Sequence, residues 1–246
     1  MRSIEEVGHK YRALRFNSIA EGLGELLRQA EENEVSYLEF AEMLVEHEEA
    51  VRNRKRVELN RRKAGFPTEK RISEFDFRFQ TSITKRQVKG LLTFRFIEER
   101  ENVIFIGPSG VGKTHLALGI GHEAVEAGYK VVFQTALELV EGLDLAELRG
   151  ELKKKIAGLL KFDLLIIDEL GYLPMSRRNV HALFQLVNAV YEYRSVMVTT
   201  NKEFTGWGEF FGDEAVAVPI VDRLIHHSHI FMLGGESYRL REKLGR

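Results

Sequence analysis

The residues best placed to do chemistry lie in one short segment, where two glycines precede a lysine and a threonine in the spacing Gly-x-x-x-x-Gly-Lys-Thr. Glycines let the backbone curl so that several N–H groups face one anion, and a helix that begins near the lysine adds the positive end of its dipole. The lysine would contact the β- and γ-phosphates of a nucleotide, and the threonine hydroxyl would hold Mg²⁺. A tight turn without a ligand is the weaker alternative. We assign nucleotide binding to the whole segment: Gly107, Pro108, Ser109, Gly110, Val111, Gly112, Lys113, Thr114 and His115.

Two adjacent carboxylates, Asp168 and Glu169, end the apolar segment FDLLIIDE. The first carboxylate could hold Mg²⁺ directly or through water, and the second could orient and polarise the water that attacks the γ-phosphate. A strand that ends in Asp-Glu is a weak signal alone, but it gains weight when it follows a phosphate-binding loop. We therefore predict catalytic roles for Lys113, Asp168 and Glu169, and Mg²⁺ binding by Thr114 and Asp168.

Asn201 follows a third apolar segment, SVMVTT at residues 195–200. In a parallel sheet, a polar residue at the tip of this strand would lie beside the γ-phosphate. We predict that Asn201 senses the phosphate or the attacking water. The alternative is an asparagine that serves only the turn after the strand.

These side chains need a scaffold of alternating strands and helices. Apolar segments with β-branched residues predict strands at residues 103–106, 130–134, 162–169, 195–200 and 227–233. Helical spacing predicts helices after the phosphate-binding loop, at residues 85–99 and 220–226, and from an N-cap at Ser176. The pattern predicts an α/β fold with a parallel sheet.

An aromatic cluster precedes these elements. Phe75 and Phe77 alternate with charged residues, which makes an extended segment plausible. Such a segment packs near the base in many nucleotide sites, but an aromatic anchor of the core is the favoured alternative. The single tryptophan, Trp207, is interpreted as a packing residue.

Composition places the chain among ordinary soluble proteins, with 246 residues, 30% charged residues and a net charge of −1. It contains no cysteine, which excludes a disulfide framework and a thiolate metal site and fits a reducing cytoplasm. The first residues lack the apolar core of a signal peptide, and no apolar segment approaches the length of a membrane span. We expect a cytoplasmic protein with no membrane partner.

The sequence predicts a small helical domain over residues 1–68 and an ATPase domain over residues 69–246. Leu14, Ile19, Leu23 and Leu26 fall at helical spacing, and seven of the twelve residues from Arg52 to Lys63 are Arg or Lys. A basic helix of this kind can lie along nucleic acid phosphates, whereas a solvated helix balanced by the preceding glutamates is the alternative. The predicted DNA contacts are Arg52, Arg54, Lys55, Arg56, Arg61, Arg62 and Lys63.

A second basic cluster, Lys153, Lys154 and Lys155, lies in a mainly helical insert at residues 136–161. We expect this insert to project from the body, which makes a DNA contact as plausible as a solvated face. Arg177 and Arg178 stand in the first turn of a helix, where cations are unfavourable. They indicate contact with DNA or a neighbouring subunit, or else a tolerated surface pair. The histidines at 226, 227 and 229 lack the ligand pattern of a metal site.

The chain resembles the AAA+ ATPases of the DnaA/DnaC type, and most of all the IstB family of transposition helper ATPases of insertion sequences. The resemblance covers nearly the whole chain. It is carried by EFDFRFQ, GPSGVGKTHLA, LLIIDELGYLP, SRRNVHALFQLV, VTTNKEF and VDRLIHHSHIF. The phosphate-binding loop alone is generic, whereas LLIIDELGYLP with SRRNVHALFQLV is more discriminating.

The resemblance implies a five-stranded parallel sheet with helices on both faces, a helical N-terminal domain, and little or no C-terminal lid. It implies a homo-oligomer with ATP and Mg²⁺ bound between subunits. Arg223 matches the arginine finger that such subunits insert into a neighbour's site, and Arg239 lies where a sensor-2 arginine would be sought. The implied partners are duplex DNA and the transposase of the same element. The lysine-rich insert would face the DNA, and the N-terminal domain would serve assembly and partner contact.

The expected function is a Mg²⁺-dependent ATPase that oligomerises on duplex DNA and assists a transposase in target selection and insertion. A replicative-helicase loader of the DnaC type is the first alternative, and the basic segment weakly favours a duplex binder over it. A scaffold that binds ATP without hydrolysis is a second alternative, against which Asp168 and Glu169 argue. A metabolite kinase is disfavoured because we find no separate phosphate-acceptor site or lid.

Overall fold

The computed structural model describes residues 3–172, 175–212 and 214–244. The chain divides into two compact units, residues 1–59 and 60–246. The division lies before residue 68, the boundary expected from the sequence. Asn60 belongs to the second unit because it contacts that unit: its side-chain amide donates to the carbonyls of Gly128 and Tyr129, at 3.4 Å each.

The first unit is helical, as the sequence predicted. It contains α1 (Ile4–Ala13), α2 (Asn17–Glu32) and the greater part of α3 (Tyr37–Ala64). The first helix begins with a capping box, in which the Ser3 hydroxyl accepts from the Glu6 amide and the Glu6 carboxylate accepts from the Ser3 amide. Ile19, Leu23 and Leu26 are buried on one side of α2. These apolar residues recur at helical spacing and give the unit a small core.

A carboxylate from α3 caps the second helix. The N-cap residue of α2, Phe16, offers no side-chain acceptor, but Glu48 Oε2 accepts from the Ile19 amide at 2.9 Å. Arg52 donates from Nε to Glu48 Oε1 and from Nη2 to the Arg15 carbonyl, both at 2.7 Å. Burial raises the pKa of Glu48, but the Ile19 and Arg52 hydrogen bonds outweigh it and hold that pKa below its usual range. Arg52, predicted as a DNA contact, is therefore engaged in holding this unit together.

The second unit is built on a five-stranded, entirely parallel sheet, which confirms the predicted fold class. Its strands are β1 (Asn102–Ile106), β2 (Val131–Thr135), β3 (Leu164–Leu170), β4 (Ser195–Thr200) and β5 (Ser228–Met232). Their order across the sheet is β2-β3-β4-β1-β5. The central strands β1 and β4 are buried along their whole length, because helices cover both faces of a parallel sheet.

The helices of this unit are α4 (Lys85–Leu91), α5 (Arg95–Glu98), α6 (Lys113–Glu126), α7 (Ala136–Leu148), α8 (Leu152–Leu159), α9 (Arg177–Val190), α10 (Trp207–Phe211), α11 (Glu214–His226) and α12 (Tyr238–Leu244). On one face of the sheet, α7, α8, α9 and α11 share a single apolar core with β1, β3 and β4. On the other face, α6 approaches Ile166 so closely at Gly121 that a Cβ there would lie 2.7 Å from the Ile166 side chain. No described helix is long and apolar enough to cross a membrane.

The expectation that residues 136–161 project from the body is wrong. Helices α7 and α8 form the connection between β2 and β3, and they bury Leu139, Leu143, Leu152 and Ile156 in the core of the sheet. These apolar residues recur at helical spacing and cover the sheet, while Lys153 and Lys154 of α8 are exposed and Lys155 is half-buried. The segment is thus a packed crossover with a basic outer surface.

Three local predictions also differ from the structure. The helix predicted at residues 85–99 breaks into α4 and α5, because Phe94 adopts a left-handed φ of 58° between them. The aromatic cluster is not extended: a 3₁₀ turn (Ile72–Glu74) leads into a turn in which Asp76 Oδ1 accepts from the Arg78 and Phe79 amides. The helix predicted at residues 220–226 begins earlier, at Glu214.

Candidate nucleotide site

The glycine-rich loop joins the carboxyl end of β1 to the first turn of α6. Gly112, the N-cap of α6, has a left-handed φ of 98°, and a Cβ there would lie 2.7 Å from the Phe75 ring. Gly110 has a φ of 85°, and a Cβ there would lie 2.1 Å from the Ser237 hydroxyl. Glycine is therefore required at both positions for its backbone freedom and for lack of space.

Lys113 is folded back onto this loop. Its ammonium donates to the carbonyls of Gly107 and Pro108, both at 2.7 Å, and the residue is only 7% exposed. Burial lowers the pKa of Lys113, the carboxylates of Asp168 and Glu169 oppose that shift, and the nearby charge of Arg239 adds to it. A phosphate that entered the loop would offer this ammonium an anionic acceptor in place of neutral carbonyls.

Thr114 and Asp168 meet across the end of the sheet. The Thr114 hydroxyl lies 2.9 Å from Asp168 Oδ1 and 3.1 Å from Oδ2, and Asp168 is 4% exposed. A hydroxyl and a carboxylate that converge beside a phosphate-binding loop are the hard oxygen ligands that Mg²⁺ prefers. The donor set therefore fits the expected metal.

Glu169 occupies an irregular position in β3. Ile167 pairs with Val198 and Leu170 with Thr200, so that Asp168 and Glu169 together oppose the single residue Thr199. Glu169 adopts a left-handed φ of 62°, a conformation that costs a residue with a side chain roughly 1–2 kcal/mol. The Thr199 hydroxyl accepts from the Glu169 amide at 2.9 Å and donates to Asp168 Oδ1. Sequence reasoning missed Thr199, because nothing in the segment SVMVTT marks its hydroxyl as a partner of Asp168 and Glu169.

One cavity of about 430 Å³ is lined by Lys113, Thr114, Glu169 and Thr199. Phe75, Phe79 and Leu118 form an apolar side, so the aromatic cluster both anchors the fold and faces the site. Arg239 also lines the cavity, as do Tyr172 and Tyr238. The predicted loop residues that line it are Ser109, Gly110, Val111, Gly112, Lys113, Thr114 and His115, together with Glu169.

A buried glutamine that sequence reasoning did not single out ties the loop to distant segments. Gln80 Nε2 donates to the carbonyls of Val111, at 3.1 Å, and Gly234, at 3.0 Å, and its Oε1 accepts from the Ser82 amide. The Tyr238 amide also donates to the Gly110 carbonyl at 3.0 Å. These bonds anchor the start of α12, and with it Arg239, against the loop.

Two residues predicted for catalysis lie elsewhere. Asn201 is exposed after β4 and is not among the described residues that line the cavity. Arg223 lies near Asn102, the first residue of β1, whereas the loop follows the last residue of that strand, roughly 13 Å away at about 3.3 Å per residue. Its guanidinium donates to the Pro219 carbonyl at 3.0 Å and lies over the rings of Phe184 and Tyr191. The structure therefore places Arg223 away from the cavity of its own chain.

Several of the basic residues form ion pairs although their side chains are exposed. In the second unit, Arg61 forms an ion pair with Glu126, and Lys154 lies 3.3 Å from Glu151. Arg178 pairs with Asp144 of α7, which explains an arginine in the first turn of α9 without any partner molecule. Lys155 is half-buried. The remaining predicted contacts on α3 and α8 are exposed, and they are Arg54, Lys55, Arg56, Arg62, Lys63 and Lys153.

Two of the three histidines are held by other groups. His226 Nδ1 lies 2.9 Å from the Tyr191 hydroxyl, and His229 Nε2 lies 2.7 Å from Glu101 Oε2. Among the described residues, no group of three or more His, Cys, Asp or Glu side chains is arranged to hold a metal ion. Trp207 is fully buried against Phe204, Phe210 and Phe211. Leu173 and Pro174, the end of the LLIIDELGYLP segment, lie outside the described residues.

Comparison with known proteins gives a consistent assignment. The family described as IstB-like ATP binding protein matches residues 9–245. An ATP-binding protein of insertion sequence IS5376 from Geobacillus stearothermophilus is 42% identical over 96% of this chain and 94% of its own length. One from insertion sequence IS21 of Pseudomonas aeruginosa is 41% identical over 94% of this chain and 87% of its own.

Solved structures agree on the fold. The crystal structure of DnaI has a TM-score of 0.56 at 18% identity and covers 67% of this chain and 91% of its own. Domain III of the Thermotoga maritima replication initiation protein DnaA has a TM-score of 0.52 at 20% identity, over 67% of this chain and 69% of its own. At such identities the likeness shows the AAA+ P-loop fold.

Proposed function

The chain belongs to the family of IstB-like ATP-binding proteins, and on that premise we propose that it is a Mg²⁺-dependent ATPase that assembles on duplex DNA and assists a transposase. One observation carries the catalytic part of the proposal. Lys113, Thr114 and Glu169 line a single cavity, and Asp168 contacts Thr114 at its edge. Groups of these types bind and activate a nucleoside triphosphate.

Each residue has a proposed task in hydrolysis. The amides of the loop and the ammonium of Lys113 bind the β- and γ-phosphates. Mg²⁺, when bound by Thr114 and Asp168, neutralises charge on the same phosphates. Glu169 accepts a hydrogen bond from the attacking water and polarises it. Arg239 contacts the nucleotide from α12, and Asn201 senses the γ-phosphate from the end of β4.

The position of Arg223 supports an oligomeric enzyme. Because Arg223 lies near the amino end of β1, it is suited to the nucleotide of a neighbouring subunit and not to its own. An arginine supplied in this way stabilises the charge that develops on the γ-phosphate. ATP would then bind between copies of the chain, and hydrolysis would be the step that disassembles or remodels the complex.

The exposed basic residues of α3 and α8 are the proposed DNA contacts. Exposed Arg and Lys side chains such as Arg54, Lys55 and Lys153 can neutralise phosphates without reading the sequence of bases. The proposed protein partner is a transposase, since the most similar proteins described above belong to insertion sequences. Target selection and insertion by that transposase are the steps that the assembly would assist.

The first experiment measures binding to matched duplex and single-stranded DNA with ATP, with ADP and without nucleotide, while the mass of the complex is recorded. We expect ATP-dependent binding to duplex DNA in large assemblies, and no such assembly by Lys113→Ala. Assembly by Lys113→Ala equal to that of the wild type would contradict the mechanism. Preference for single strands, or binding only in the presence of a hexameric helicase, would favour a helicase loader instead.

A further inference from the structure

The end of β3 brings two consecutive carboxylates to the same site, which a regular strand would not do. Successive side chains of a strand point to opposite faces of the sheet, yet Asp168 and Glu169 both have to serve one cavity. Asp168 contacts Thr114 at that cavity, and Glu169 lines it. The extra residue in β3 and the left-handed backbone of Glu169 make this possible by turning the chain between the two carboxylates.

This turn leaves the Glu169 amide facing a side chain. Its acceptor is the Thr199 hydroxyl, at 2.9 Å, in place of a backbone carbonyl of β4. A hydroxyl has one proton and two lone pairs, so the same group can also donate, and it donates to Asp168 Oδ1. Thr199 is 1% exposed, so water does not compete readily for either bond.

We propose that Thr199 is a positioning residue that holds Asp168 and Glu169 in the one arrangement in which both serve the same nucleotide. The proposal rests on the proposed ATPase function and deepens it. Thr199 holds Asp168 from the side of β4, while Thr114 contacts it from the side of α6. Asp168 therefore keeps one fixed partner if Thr114 turns its hydroxyl towards a metal.

The neighbouring residue supplies a matched control. Thr200 is also fully buried in β4, but its hydroxyl accepts from the Lys202 amide at 3.1 Å, outside the site. Thr199→Val removes both proposed bonds with little change of shape, Thr199→Ser keeps the hydroxyl, and Thr200→Val makes the same chemical change one residue along. If Thr199→Val does not fold, the smaller Thr199→Ala replaces it.

We expect Thr199→Val to lower the rate of ATP hydrolysis about 10- to 100-fold and to raise the Mg²⁺ concentration for half-maximal activity by a similar factor. Nucleotide affinity measured in EDTA should change less than about threefold, because the loop and Lys113 are intact. Thr199→Ser and Thr200→Val should stay within about threefold of the wild type. Equal loss in Thr199→Val and Thr199→Ser would overturn the proposal, because the hydroxyl would then not be responsible.

A second readout does not depend on hydrolysis. Amide hydrogen exchange of a peptide that covers residues 164–172 should be faster in Thr199→Val, and unchanged in Thr199→Ser and Thr200→Val. Unchanged exchange in Thr199→Val would overturn the proposal even in an active enzyme. If the wild type hydrolysed no ATP with DNA and transposase present, the proposed function would fail, while this measurement would still decide whether Thr199 holds Glu169.

Discussion

Two regions rich in polar groups are built in opposite ways. One is the nucleotide site of the second unit, and the other is the exposed basic surface of α3 in the first unit, formed by Arg54, Lys55 and Arg56. In the site, Lys113 and Asp168 are each held by named partners at hydrogen-bond distance. On the basic surface all three side chains are exposed, and Arg56 bonds only within its own helix, to Asn53, among the contacts described. A site made of specific contacts should respond strongly to one substitution, whereas a surface made of like charges should respond in proportion to the number of charges removed.

The largest loss of activity is expected for substitution of Arg223, which is proposed to act at the nucleotide of a neighbouring subunit. Arg223→Ala should lower hydrolysis about 10³-fold or more, because charge on the γ-phosphate loses its stabilising cation, while nucleotide binding remains. The measurement is ATP turnover by Arg223→Ala, by Glu169→Gln and by an equal mixture of the two. The mixture should recover activity at about a quarter of the interfaces, where an intact Glu169 meets an intact arginine of the neighbouring subunit. No recovery in mixed oligomers would mean that Arg223 does not act on a neighbour.

Glu169→Gln should separate binding from hydrolysis. The amide keeps the shape of the side chain but loses the charge that polarises water, so turnover should fall about 10²-fold or more. Nucleotide affinity should stay near the wild-type value, since the loop and the Thr199 hydroxyl, which bonds the backbone of residue 169, are unaltered. Affinity and turnover are measured on the same preparation, and hydrolysis at the wild-type rate would exclude Glu169 as the catalytic carboxylate.

Glu48→Ala tests whether the first unit also contains a feature that depends on specific contacts, the cap of α2. The substitution leaves the buried Ile19 amide and the Arg52 guanidinium without their carboxylate, at a cost of about 1–3 kcal/mol. Hydrogen exchange at the first turn of α2 should accelerate accordingly, and Arg54→Ala, an exposed change on the same helix, is the control. Equal exchange in both variants would show that the cap contributes nothing.

The same contact has a defined pH dependence. Because the folded-state pKa of Glu48 lies below its unfolded value, the carboxylate stabilises the unit above that ordinary value. This stabilisation should disappear as the pH falls through the lowered folded-state pKa. Glu48→Ala should therefore lose less protection in acid than the wild type does.

The smallest single effects are expected on the basic surface. Each of Arg54→Gln, Lys55→Gln and Arg56→Gln should weaken DNA binding only a few-fold and reduce the salt slope by about 0.9, and the triple variant by about 2.7. The slope of affinity against salt concentration is measured for all four proteins, with Arg52→Gln for comparison. A loss confined to one arginine would indicate a specific contact there and would remove the contrast with the nucleotide site.

The same contrast explains what could be predicted from the sequence. Gly107 to Thr114 have a fixed spacing because the phosphate loop has a fixed shape, so the residues and their surroundings followed directly from the sequence, as did the parallel sheet. Thr199 and Gln80 were missed because each acts through a partner 30 or more positions away along the chain. Such pairs arise only when the sheet has formed, and no local pattern records them.

The errors have a common physical cause. Residues 136–161 were expected to project because they form a helical insert between two strands. Leu152, Ile156 and Leu159 instead decide where α8 lies, because burial of their apolar area holds the helix against the sheet. Arg52 was grouped with its basic neighbours because charge alone does not distinguish an exposed arginine from one that binds a buried glutamate. The predicted roles of Asn201, Arg223 and Arg239 remain predictions.

The anchoring of the phosphate loop by Gln80 has a consequence for the kinetics of nucleotide association. The Val111 carbonyl is bonded to Gln80 and the Gly110 carbonyl to the Tyr238 amide before any ligand arrives. Little conformational entropy then remains to be lost when the loop closes around phosphate, so association should be a single fast phase with a weak temperature dependence. Gln80→Ala would add an ordering step, and a slow second phase would appear in the approach to equilibrium while the final affinity fell only modestly.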